Sequence, residues 1–214
     1  MKLAIFDLDG TLVNSLADIA EATNFAMRKL GFPEHELSEF NYLVGDGVAK
    51  LIERALPKEN HDKFSEALEI YNDYYNKNYT VKTYIYDGIE KMLNVLKEKG
   101  FELAVASNKT HEFTENVIEH YFNDELFSAV FGKTEGNPVK PNPAIVDNII
   151  DKLNVSREDT VMIGDTCIDI KTGKNAGIKT IGCLWGFRTI EELVNAGADY
   201  IADKPADIIK YLCG

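Results

Sequence analysis

Cysteine is scarce. The chain has three in 214 residues, Cys167, Cys183 and Cys213, far apart and never as Cys-x-x-Cys. Such a set makes neither a disulfide framework nor a zinc site, so core thiols in a reducing compartment are expected. Basic residues are outnumbered: 23 Lys and Arg face 35 Asp and Glu, a formal net charge of −12. That balance argues against a nucleic-acid partner, because phosphate backbones need a basic face. An anionic substrate would have to be held locally, by single lysines, backbone N–H groups or a metal. No apolar run approaches the roughly 20 residues that span a bilayer. The chain enters a candidate strand at once, without the charged-then-apolar start of a secretion signal. No membrane partner and a cytoplasmic location are therefore expected. Repeats and low-complexity segments are also missing. Hydrophobic residues, by contrast, make up 45% of the chain, enough for the core of one large domain or of a domain with an insertion.

The most informative stretch is the first, Leu3-Ala4-Ile5-Phe6-Asp7-Leu8-Asp9-Gly10-Thr11. Its apolar run is too short for a helix and suits a buried strand. It stops at two aspartates one residue apart, followed by a glycine that permits a tight turn. Aspartates also serve simply as turn formers. Two close carboxylates repel, however, unless one is protonated or a cation lies between them, and hard cations take such oxygen ligands.

Helical spacing follows. Leu16, Ile19, Ala20, Thr23, Ala26, Met27 and Leu30 mark one amphipathic helix, stopped by Gly31 and Pro33. Val44-Gly45-Asp46-Gly47 breaks the pattern, and Val48, Leu51, Ile52, Ala55 and Leu56 mark a second helix that ends at Pro57. A third runs from about residue 60 to 79, its apolar side carrying Phe64, Ala67, Leu68, Tyr71, Tyr74 and Tyr75. No strand is expected across this stretch, which far exceeds a simple crossover. It reads as an inserted helical domain, residues 15–80, with hinges at 12–15 and 80–84. Residues 1–14 and 81–214 form the other domain. From Asp87 onward helices alternate with strands at 101–106, 129–131, 160–163, 179–183 and 200–201. Lys140-Pro141-Asn142-Pro143 is expected to open a helix, with proline in its first turn. The alternation implies an α/β fold with a parallel sheet covered on both faces.

Polar residues gather where strands end: Asp7 and Asp9, Ser107 and Asn108, and Asp165 with Asp169, while Lys140 precedes a helix. Singly, each is an ordinary cap, turn or surface residue. In a parallel sheet all these ends point one way, so the residues can converge on one crevice. Together they suit phosphoryl transfer, in which a metal neutralises phosphate oxygens, lysine and amide donors hold the rest, and a carboxylate can attack phosphorus.

In this order the motifs resemble those of the haloacid-dehalogenase-like superfamily of aspartate-nucleophile phosphatases. Asp7-Leu8-Asp9-Gly10-Thr11-Leu12-Val13 is similar to its first motif, Ser107 with Asn108 to its second, Lys140-Pro141-Asn142-Pro143 to its third, and Gly164-Asp165-Thr166-Cys167-Ile168-Asp169 to its fourth. The resemblance covers essentially the whole chain. It implies a Rossmann-like parallel-sheet core with an all-helical cap inserted after the first motif. It also implies roles. Asp7 would be nucleophile and Mg²⁺ ligand. Asp9 would be general acid and then base, binding Mg²⁺ through its carbonyl. Asp165 would be a direct ligand, and Asp169 would orient Lys140 or a metal-bound water. Ser107, Asn108 and Lys140 would hold the phosphate, with Lys140 counted in the catalytic set. Asn14 stands where the family often has Asp, outside the catalytic pair.

Val44-Gly45-Asp46-Gly47, Ser107-Asn108-Lys109, Trp185-Gly186-Phe187 and Gly197-Ala198-Asp199 are similar to the phosphoglycolate phosphatases of that superfamily. This implies a small phosphorylated metabolite as substrate and a monomer or homodimer. Gly45, Asp46, Gly47 and Lys50 are expected to give the cap its specificity. The competing readings are a sugar-phosphate mutase, a nucleotidase or a pyrophosphatase of the same superfamily, a dehalogenase, or a non-catalytic binding protein. The mutase is disfavoured because residues 44–50 contain no arginine. The dehalogenase is disfavoured because Asp9 suits protonating an alkoxide.

Overall fold

The computed structural model describes residues 2–123 and 125–214. Its centre is β1 (Lys2–Phe6), from which side chains leave alternately to two faces. Ala4 and Phe6 join a cluster built with Leu103, Val105 and Ile163, while Leu3 and Ile5 join another with Ala104, Ala106 and Met162. Helices α5 (Ile89–Glu98), α6 (His111–Tyr121) and α10 (Pro205–Cys213) cover the first face, and α7 (Ala144–Leu153) the second. Burial on both sides is why these strands read as continuous apolar runs.

The other strands of this sheet are β4 (Phe101–Thr110), β5 (Ala129–Lys133), β6 (Thr160–Gly164), β7 (Lys179–Cys183) and β8 (Tyr200–Ala202). All pair in parallel, in the order β5-β4-β1-β6-β7-β8. The chain therefore leaves β1 to one side and later returns to the other. That makes the carboxyl end of β1 a topological switch point, where open α/β sheets form their crevice. Phe6 is in register with Val105 on one neighbour and Ile163 on the other. Asp7, Ser107 and Asp165, one or two residues further on, emerge at one level.

Between β1 and the rest of the sheet lie α1 (Leu16–Leu30), α2 (Phe40–Leu43), α3 (Val48–Ala55) and α4 (Phe64–Asn78), with short 3-10 turns at Leu37–Glu39 and Lys58–Lys63. These helices own a third apolar cluster, including Ala22, Met27, Phe40, Ile52, Tyr71 and Tyr75, which Phe187 joins from the sheet side. Gly31 ends α1 in the left-handed conformation at φ 76°, a geometry glycine adopts without penalty.

Three local expectations change. The two links of the insert are not bare hinges, because β2 (Val13–Asn14) and β3 (Tyr84–Ile85) pair antiparallel. A two-residue ladder leaves no periodic signal to read. The four-residue α2 was missed for the same reason. Lys140-Pro141-Asn142-Pro143 forms a turn, with Asn142 N–H on the Val139 carbonyl at 2.9 Å, and α7 begins only afterwards. The three cysteines carry free thiols. No helix among the described residues is long and apolar enough to cross a membrane.

Candidate active site

Asp7 continues the β1 ladder, its N–H donating to Ile163 carbonyl at 2.9 Å. Its Oδ1 accepts from the Leu8 N–H at 2.7 Å and sits 2.8 Å from Lys140 Nζ. Lys140 is the hub. Its ammonium also touches Asp169 Oδ1 at 2.6 Å, and its side chain is 1% exposed. Asp169 belongs to α8 (Cys167–Asn175), where its other oxygen accepts from Thr166 N–H at 3.1 Å and Thr166 Oγ1 at 2.8 Å, a capping box. Asp165 precedes that helix. Its Oδ1 accepts from Thr11 Oγ1 at 3.0 Å and its Oδ2 from Phe187 N–H at 2.8 Å.

The electrostatics follow from crowding. Burial, then the charges of Asp169 and Asp165, push Asp7 well above the usual carboxylate range, against the pull of Lys140. Burial and Asp169 push Asp165 up to about 7, with Phe187 N–H, Thr11 and Arg188 opposing. Burial works against the charge on Lys140, yet Asp169 and Asp7 hold its pKa above the ordinary lysine value. Two of the three buried carboxyl groups, Asp7 and Asp169, thus share one ammonium, and Asp165 lies beside them without it.

Carboxylate oxygens of Asp7, Asp165 and Asp169 lie within 4.8 Å of one another. Hard donors around an excess of negative charge fit a divalent cation. The backbone closes on this cluster. A Cβ at Gly10, where φ is 88°, would lie 2.4 Å from Asp165 Oδ2, and one at Gly186 would lie 2.2 Å from Asp165 Cβ. Both oxygens of Asp169 are engaged by Lys140 and Thr166. Both oxygens of Asp165 are engaged as well, by Thr11 and Phe187 N–H, so Asp7 Oδ2 is the one oxygen of the three carboxyl groups that accepts no hydrogen bond from the described residues.

A cleft opens above Asp7. Asp9, Ser107, Asn108 and Lys109 line one wall, and Val44, Gly45, Gly47, Tyr71 and Tyr75 line the other. Asn108 fixes two loops. Its Nδ2 donates to the Gly45 and Lys140 carbonyls, each at 3.1 Å, and its Oδ1 accepts from Lys140 N–H at 2.8 Å. Its side-chain amide is thereby taken up by backbone groups. Ser107 Oγ accepts from Lys109 N–H at 3.2 Å.

Of the residues expected to give specificity, Gly45 and Gly47 reach the cleft, with φ of 114° and 87°. Asp46 does not; it pairs with Arg54. Lys50 is also turned away, 2.7 Å from Glu53 on the surface.

Two residues were given no role from the sequence. Lys109 enters the cleft with a side chain 8% exposed, its Nζ 3.0 Å from both oxygens of Asp9. It lies two residues beyond Ser107 on an extended strand, and that period of two was a usable signal. Arg188 donates to the Val44 carbonyl at 2.9 Å and approaches Glu192 at 3.3 Å. Nothing local connects it to a loop 144 residues earlier.

Comparison with known proteins agrees with this geometry. A family model described as haloacid dehalogenase-like hydrolase matches residues 4–183. A relative from Aquifex aeolicus named phosphoglycolate phosphatase is 34% identical over 213 residues, covering 99% of this chain and 97% of its own. A crystal structure from Lactobacillus delbrueckii subsp. bulgaricus superposes with a TM-score of 0.94 at 29% identity, covering 100% of both chains. One of a predicted phosphatase from Clostridium acetobutylicum gives 0.87 at 31% identity, covering 99% of this chain and 97% of its own.

Proposed function

The chain belongs to the haloacid dehalogenase-like hydrolases, and from that premise we propose that this phosphatase hydrolyses small phosphate monoesters, 2-phosphoglycolate first among them, through an aspartyl-phosphate. The observation that carries the reading is Lys140, whose ammonium bridges Asp7 at 2.8 Å and Asp169 at 2.6 Å beside Asp165, under a cleft that holds Asp9 and Ser107.

A carboxylate oxygen of Asp7 attacks phosphorus. The new P–O bond forms as the ester P–O bond breaks, and the leaving alkoxide takes a proton from Asp9. Asp9 then removes a proton from water, whose oxygen attacks phosphorus and releases phosphate from Asp7. Lys140 and Ser107 hold the phosphoryl oxygens, and Asp169 keeps the ammonium aimed. A divalent cation, proposed as Mg²⁺, would be held by Asp7, Asp165 and the Asp9 carbonyl and would neutralise charge on the phosphoryl oxygens.

Residues 15–80 serve as a cap over a core of residues 1–14 and 81–214, a division supported by the insert's own apolar cluster. Gly45 and Gly47 let its backbone approach the crevice and leave room for a small leaving group rather than a sugar or nucleoside.

The test is phosphate release from 2-phosphoglycolate. Turnover should vanish with chelator, return with Mg²⁺, and be abolished by Asp7→Asn in a folded protein. Asp9→Asn should slow this ester far more than an aryl phosphate, whose leaving group needs no proton. Full turnover in chelator, or in Asp7→Asn, overturns the mechanism. Better kcat/KM on nucleotides or hexose phosphates overturns the substrate alone.

A further inference from the structure

Resting on that phosphatase reading, we propose that Lys109 and the Tyr75 hydroxyl form the subsite for a carboxylate on the leaving group, and so select anionic esters over neutral ones. Lys109 is the sole basic side chain among the described residues that line the cleft. Its Nζ is 3.0 Å from both oxygens of Asp9 and 4.9 Å from the centre of the Tyr75 ring. Tyr75 also lines the cleft, and its buried Oη finds no hydrogen-bond partner among the described residues. A buried hydroxyl left unpaired calls for an explanation, since such groups nearly always have a partner.

An ion pair with Asp9 alone would account for Lys109. It would not account for Tyr75. A carboxylate accepts from an ammonium and a phenol at once, and such charge-assisted bonds are among the stronger ones. The reach is right as well. Asp9 is the group facing the ester oxygen, and in a two-carbon leaving group the carboxylate oxygen is three bonds from that oxygen. A neutral leaving group leaves Lys109 on Asp9 and Tyr75 unpaired.

The measurement compares two esters of equal length, 2-phosphoglycolate and 2-hydroxyethyl phosphate, in which a hydroxymethyl group replaces the carboxylate. Wild-type kcat/KM should favour the carboxylate by roughly tenfold or more, the scale of one charge-assisted hydrogen bond. Lys109→Met should shrink that preference by a similar factor, chiefly through KM for phosphoglycolate. Lys109→Arg should keep most of it, and Tyr75→Phe should lose a smaller part. Should Lys109→Met fold poorly, Lys109→Gln retains a donor to Asp9 while removing the charge, and the same loss of preference is expected.

Equal losses on both esters would mean that Lys109 merely holds Asp9, and the subsite is then wrong. A wild-type enzyme that hydrolyses both esters equally also overturns it, while leaving the phosphatase reading intact. Hydrolysis of neither overturns that reading too.

Discussion

Asn108 and Lys140 exchange two hydrogen bonds: Lys140 N–H donates to Asn108 Oδ1 at 2.8 Å, and Asn108 Nδ2 donates back to the Lys140 carbonyl at 3.1 Å. The same amide holds the Gly45 carbonyl at 3.1 Å. One side chain thus fixes the lysine at the buried carboxylates and the glycine loop above them.

Asn108→Ala should therefore act on both. It strands buried backbone groups of Lys140, at a cost of about 1–3 kcal/mol. Denaturant melts should show that loss, and phosphate release should show a fall in kcat beyond any change in KM. A variant with wild-type stability and turnover would show that the exchange is dispensable.

The crowded carboxylates predict a linkage between pH, cation and stability. Asp165 is raised from 3.8 to about 7 in the fold, so the native state binds its proton more tightly than the unfolded state. Stability from this group is present at low pH and lost as pH climbs from about 4 to about 7, by at most about 1.4 kcal/mol per pH unit. Asp7, also raised, acts in the same direction. In chelator, Asp165→Asn should gain melting temperature over wild type at pH 8 and little at pH 5. Mg²⁺ should stabilise wild type more at pH 8 than at pH 5. The reverse ordering in either comparison rules out this account of the cluster.

Asp18 predicts the stiffness of the link between α1 and the chain returning to the sheet. Its carboxylate accepts from Lys82 N–H at 2.9 Å on both oxygens, and from Thr83 N–H at 2.8 Å and Thr83 Oγ1 at 2.7 Å. This ties α1 to the returning chain just before β3. Asp18→Ala should destabilise by about 1–3 kcal/mol, as a buried acceptor serving several donors is lost. Hydrogen exchange should speed up locally at residues 82–85. Unchanged protection there would place the restraint elsewhere, in the β2–β3 ladder.

Much of this was legible along the chain. A strand buried on both faces must be a continuous apolar run, so β1, β6 and β7 announce themselves. Each run ends where the chain meets the crevice, and there the residue type changes abruptly, as from Phe6 to Asp7 and Ile163 to Asp165. The two-residue ladder of Val13–Asn14 with Tyr84–Ile85 was hidden, because a pattern needs several repeats before it is a pattern. Asp46 and Lys50 were credible from their position in the loop, yet Arg54 and Glu53 draw them outward.

The sequence by itself determined the order of the longer strands and helices and the chemical types gathered at the strand ends, because apolar periodicity and turn chemistry are properties of neighbours in the chain. The tertiary structure alone decided which charge faces which. Lys140 is 29 residues from Asp169, and Lys109 is 100 from Asp9. The direction of a long side chain is set by the walls packed around it. Those walls exist only once β1 lies between β4 and β6 and the helices close over them.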